Sequence, residues 1–170
     1  MAVREVLLLG NPLLWEKSAV VSGASTPDTL TVISDLADTL KELRRMHGFG
    51  QALAAPQIGV LKRVIYVQMQ PEGFTGALIN PVIVRTDHKQ VELWDDCFSL
   101  PDLMVRVLRF NAVTVEYLDE EGQKQEWEAA GMTAALLQHE IDHLDGILTV
   151  QRAVSSKAFA VRSEWKRKYR

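Results

Sequence analysis

The chain has 170 residues, of which 47% are hydrophobic and 24% charged, with a formal net charge of −3. These values fit one soluble domain and exclude a disordered chain, a collagen-like repeat and a disulfide-stapled scaffold. The bulk charge also gives no reason to expect a nucleic-acid binder, but residues 152–170 carry seven basic residues and one acid, Glu164, on an otherwise acidic body. Such a tail is either a solvated helix end or an electrostatic handle for an anionic partner.

Taken in chain order, the first 25 residues read as irregular and extended, with a turn at Gly10-Asn11-Pro12. Thr26-Pro27-Asp28 opens a helix, with Thr26 as cap, Pro27 at the first position and Asp28 at the positive end. Leu30, Ile33, Leu36, Leu40 and Leu43 form its apolar face, and Gly48 stops it. Residues 48–59 are too broken by Gly and Pro for another full helix. Strands are expected at Val64–Val67, Ala77–Val84, Val105–Val107 and Ala112–Tyr117, with a hairpin turn at 119–122 and a return strand from Gln123 to Ala129. A second helix is expected from Met132 to Asp145, ended by Gly146, then a short strand from Ile147 to Val150 and a basic terminal helix. Helices flanking an antiparallel strand region argue an α+β fold: antiparallel or mixed sheets packed around a central helix, with an N-terminal and a C-terminal helix, all in one domain spanning 1–170. The short apolar run at the start is no signal-peptide core, and no stretch is long enough to span a membrane. With a lone cysteine, Cys97, the expected setting is reducing and cytoplasmic.

The second helix carries the chemistry. His139-Glu140-Ile141-Asp142-His143 is an H-E-x-x-H run, and residues four apart share a helix face, so both imidazoles can reach one metal ion. Glu140 is offset by one position, where a carboxylate can act as a base on water without ligating. A catalytic site needs a third ligand and an open position. Two candidates remain at this point: Cys97, a good ligand for a borderline metal, and Glu164, in the manner of thermolysin-like peptidases.

Three segments together resemble the peptide deformylases. Gly50-Gln51-Ala52-Leu53-Ala54-Ala55-Pro56-Gln57 is similar to G-x-G-L-A-A-x-Q. Asp95-Asp96-Cys97-Phe98-Ser99 is similar to E-G-C-L-S, and Gln138 through Gly146 matches Q-H-E-x-D-H-L-x-G in full. Arg109 falls where the family has an arginine. The resemblance implies removal of the formyl group from N-formylmethionyl peptides. It implies Cys97, His139 and His143 as ligands to one divalent metal, Fe(II) natively, with Zn, Ni or Co accepted. Glu140 is then the general acid and base, and the Gln57 amide and the Phe98 backbone N–H hold the formyl oxygen. Gly50, Gln51, Ala52, Leu93, Met132, Ala135 and Leu136 are expected to bind substrate, the last four lining an apolar pocket for a methionine side chain. It also implies a ribosome contact through the basic C-terminal helix, while the lack of a membrane-length apolar stretch gives no membrane partner as the expectation.

The departures are Ala52 for a glycine, Asp95 for a glutamate, Asp96 for a glycine and Phe98 for a leucine. They leave open an amidase acting on another N-formyl or N-acyl compound, and a catalytically idle metal-binding relative. They also predict an acidic cleft rim at Asp95-Asp96 that disfavours acidic residues after the formylated one.

Overall fold

The computed structural model describes residues 2–69 and 73–169. Helix α1 runs Pro27–His47, with the Thr26 side chain accepting from the Thr29 N–H and Gly48 closing it in the left-handed conformation. Strands β1 (Ala52–Ala54), β2 (Val64–Gln68) and β3 (Thr75–Thr86) follow, then β4 (Gln90–Asp96) and β5 (Leu103–Phe110). Strands β6 (Ala112–Leu118) and β7 (Lys124–Ala130) form the expected hairpin and lead into α2 (Gly131–Leu144). The chain ends in β8 (Phe159–Val161) and α3 (Arg162–Tyr169).

The strands form two antiparallel sheets, one in the order β1-β2-β3-β6-β7 and one in the order β4-β5-β8. Strand alternation gives the larger sheet two apolar faces. Ala52, Ala54, Ile65, Val67, Leu78 and Val115 pack with Leu137, Ile141 and Leu144 of α2. Leu53, Val64, Ala77 and Ile79 pack with Val32, Ile33, Leu36 and Leu40 of α1. The sheet therefore lies between two helices, and the α+β expectation holds. No helix among the described residues is long and apolar enough to cross a membrane.

Several contacts lock α2 in place. The Gln138 amide makes two bonds to the backbone of Phe110, accepting from its N–H and donating to its carbonyl, both at 2.9 Å. At the other end, Arg63 donates to Asp145 at 2.6 Å. Gly146 has φ +71°, and a Cβ there would lie 2.5 Å from the Trp15 carbonyl oxygen, so the turn after α2 admits only glycine.

Three expectations are corrected. Ile147–Val150 is not a strand: Thr149–Arg152 forms a 3-10 turn, with the Leu148 N–H donating to the Gln151 side chain. The basic tail is helical only over Arg162–Tyr169, because Phe159–Val161 adds to β5 as β8. Strand β4 has no counterpart among the expected strands, and it carries three acids, Glu92, Asp95 and Asp96.

Candidate active site

Helix α2 presents His139, Glu140 and His143 from one buried stretch, and Cys97 follows directly after β4. The ligand atoms of Cys97, His139 and His143 all lie within 4.8 Å of one another. The Cys97 Sγ to His143 Nε2 separation is 3.1 Å. A cysteine sulfur and two imidazoles this close suit a divalent metal. Glu164 is excluded from the cluster: it lies on α3, exposed, and pairs with Arg167.

Further contacts orient the ligands. His139 Nδ1–H donates to Asp95 Oδ2 at 3.0 Å, which leaves Nε2 as its ligating atom. Asp95 in turn accepts from Arg109 at 3.1 Å, and Arg109 also donates to Asp142 at 2.5 Å. Burial alone would raise the Asp95 pKa, but the His139 and Arg109 charges outweigh it and hold it at about 2. Burial alone would lower His139, yet Asp95 and Cys97 push it well above its ordinary value. Burial and the neighbouring His139 charge push His143 well below, which keeps its ring neutral and fit to ligate.

Glu140 is 3% exposed, and its Oε2 is buried with no hydrogen-bond partner among the described residues. Burial pushes its pKa up to about 7, against the opposing pull of His139. A carboxylate so placed is matched to proton transfer near neutral pH.

Gln57 is fixed by its own backbone neighbourhood. The Ala54 N–H donates to its Oε1 at 2.9 Å, so its amide nitrogen must point the other way. That nitrogen donates to Ser99 Oγ at 3.2 Å and to Cys97 Sγ at 3.5 Å. The extended N-terminal segment ties both site segments together: the Leu7 N–H donates to the Gln57 carbonyl and the Leu9 N–H to the Ser99 carbonyl, both at 2.8 Å.

These groups line a cleft of about 400 Å³. Gly50, Gln51, Ala52, Gln57, Leu93, Cys97, Phe98, Met132, Ala135, Leu136, His139 and Glu140 all face it, while His143 is fully buried at 1% exposure. The sequence reading missed Phe49 and Trp94 as lining residues. Aromatic residues flanking a motif were the available signal. Asp95 and Asp96 both line the cleft, as expected of the rim, but each is paired rather than free. Asp95 is neutralised by Arg109 and His139, and Asp96 accepts from Arg162 at 2.8 Å.

Comparison with known proteins agrees with this geometry. The sequence pattern of the polypeptide deformylase family matches residues 3–159. This chain belongs to the peptide deformylase family. It is 42% identical to the peptide deformylase of Thermomicrobium roseum, over 89% of this chain and 86% of that one. It is 38% identical to peptide deformylase 1 of Prochlorococcus marinus, over 96% of this chain and 88% of that one. The class I type b peptide deformylase of Acinetobacter baumannii, solved with Met-Ala-Ser bound, superposes with a TM-score of 0.81 at 30% identity, over 89% of this chain and 98% of that one. The deformylase fold thus extends over nearly all of this chain. The metal-dependent character of the family is consistent with the Cys97, His139 and His143 cluster.

Proposed function

We propose that the chain is one metallohydrolase domain over 1–170 that removes the formyl group from N-formylmethionyl peptides and releases formate. The observation that carries this reading is the Glu140 carboxylate, with its Oε2 buried and unpartnered among the described residues, in the same cleft as two metal ligands and an anchored amide donor.

Cys97, His139 and His143 would hold one divalent ion, which when bound supplies Lewis-acid activation of water and of the formyl carbonyl. Glu140 takes a proton from the attacking water and delivers it to the departing amine nitrogen. The Gln57 amide and the Phe98 backbone N–H donate to the formyl oxygen as negative charge builds there. The Ala54 N–H holds the Gln57 Oε1 and so keeps the amide nitrogen turned toward the site, where the formyl oxygen would take the place of Ser99 or Cys97 as acceptor of one of its hydrogens. Leu93, Met132, Ala135 and Leu136 supply an apolar wall for the methionine side chain.

The cleft also suits an extended peptide. One wall is formed at β1 and the other at β4, and each is the edge strand of its sheet. Edge strands present free backbone donors and acceptors, and a peptide lying between them can pair with both. Gly50, Gln51 and Ala52 stand on the first of these walls.

The native metal is taken as Fe(II), with Zn, Ni or Co able to substitute in the same sulfur and nitrogen set. The working place is the cytoplasm. The exposed Lys166 and Lys168 of α3 favour a contact with ribosomal RNA. Ribosome binding at low and moderate salt, with and without residues 162–170, tests this, and unchanged binding refutes it.

The direct test is formate release from formyl-Met-Ala-Ser by protein prepared anaerobically with Fe(II). Stoichiometric formate is expected. Metal-loaded protein that releases none would instead favour an amidase of other specificity or an idle relative, as Asp96 and Ala52 first suggested.

A further inference from the structure

One cluster beside the cleft is not used by this mechanism. Arg162, the first residue of α3, has its guanidinium carbon 4.6 Å from the centre of the Phe49 ring. The same side chain donates to Asp96 at 2.8 Å, and the Arg162 backbone N–H donates to the Asp102 carbonyl at 2.7 Å. Phe49 stacks on Phe98 with ring centres 5.4 Å apart and planes 9° apart. Phe98 in turn lies against Gly50, where an added Cβ would sit 2.3 Å from its Cζ. The Arg162 side chain is 17% exposed, so it is held rather than solvated.

Phe49 lines the cleft three residues before β1, in the segment that leads into that edge strand, and Asp96 lines it as the last residue of β4. Arg162 therefore bridges the segment leading into β1 and the end of β4, two strands that lie in different sheets and share no backbone ladder among the described residues. Their separation matters. A peptide strand paired on both sides needs each edge at about 4.8 Å, and hydrogen bonds weaken steeply once stretched beyond about 3.2 Å. Asp96 stands where the family motif has glycine, and a glycine would leave Arg162 with no anion at this point.

We propose that Arg162 is a positioning residue that brackets the two cleft walls at a fixed width and thereby sets affinity for the residues after the formylated methionine. The proposal rests on the peptide-cleft reading above. The bracket replaces the acidic rim with a neutral pair, so charge at the next residue is not what it selects. It selects for a peptide whose backbone continues past the formylated residue and can pair with both edges.

The test compares wild type with Arg162→Ala and with Asp96→Asn, which is isosteric and removes only the ion pair. For formyl-Met-Ala-Ser, KM is expected to rise about tenfold in Arg162→Ala, the weight of one charge-assisted, part-buried hydrogen bond, and less in Asp96→Asn. Turnover number is expected to stay within about twofold, and N-formylmethioninamide, which lacks the following residues, to be processed as in wild type. Hydrogen exchange provides a readout independent of activity: amides of residues 50–52 and 94–96 are expected to exchange faster in both variants. Unchanged KM and unchanged exchange would overturn the proposal, as would equal losses on the tripeptide and the amide. Wild type that releases no formate would refute the proposed function, and the exchange rates would still decide for or against the bracket.

Discussion

Replacing Arg109 with Met is expected to destabilise the fold and loosen the metal centre together. Arg109 is 4% exposed and sits between Asp95 at 3.1 Å and Asp142 at 2.5 Å. Methionine keeps the length and apolar stem but removes the charge. Two largely buried carboxylates then lose a partner, and breaking a buried pair from one side costs about 3–5 kcal/mol. Each acid keeps one other partner: Asp142 accepts from Arg152 at 2.6 Å and Asp95 accepts from His139 at 3.0 Å. The cost should therefore fall at the lower end, about 3 kcal/mol. In a chain of this size that corresponds to a fall in Tm of roughly 6–12 °C. Because Asp95 orients His139, metal affinity should also fall by about 10–100-fold. Thermal melts of the metal-free protein, with competitive metal titration alongside, measure both. A Tm shift under 2 °C with unaltered metal affinity would refute the idea that Arg109 supports the centre.

Glu140→Gln is nearly isosteric and should bind metal as wild type does, yet lower turnover by about 10²–10⁴-fold, the usual weight of a general acid–base group. Gln57→Leu should cost about 10²–10³-fold in turnover, the loss of one oxyanion donor, with less effect on KM in steady-state assays. Asp35→Asn probes the N-terminal anchor. Asp35 accepts from the Ala2 N–H at 2.9 Å and from Arg4 Nε at 2.8 Å. Burial alone would raise its pKa, but these donors hold it below its ordinary 3.8. Its ionised form therefore stabilises the fold above pH 3.8, and that stability fades as pH falls through the lowered folded value. The variant should be about 1.5 kcal/mol less stable at pH 7, with the gap narrowing in urea melts below pH 4.

Much of this centre was legible because local spacing dictates it. The H-E-x-x-H run lies on a helix whose apolar stripe and glycine stop are written in adjacent residues, so α2 appears one residue from where periodicity puts it. The hairpin of β6 and β7 was equally local. What escaped the sequence depends on distant partners. Strand β4 reads as a charged stretch until Arg109 and Arg162, 14 and 66 residues away, neutralise its acids. The same distance explains why Asp95-Asp96 suggested an acidic rim. The Ile147–Val150 strand failed because Leu148 and Thr149 are buried by a 3-10 turn, and burial in a short apolar run does not distinguish the two.

The central claim is that one sulfur and two ring nitrogens of this chain bind a single ion. X-ray absorption on the zinc-loaded protein tests it most directly. One sulfur at about 2.3 Å and two imidazole nitrogens at about 2.0–2.1 Å are expected, at one zinc per chain, with the sulfur shell lost in Cys97→Ser. A zinc shell without sulfur in the wild type would contradict the account.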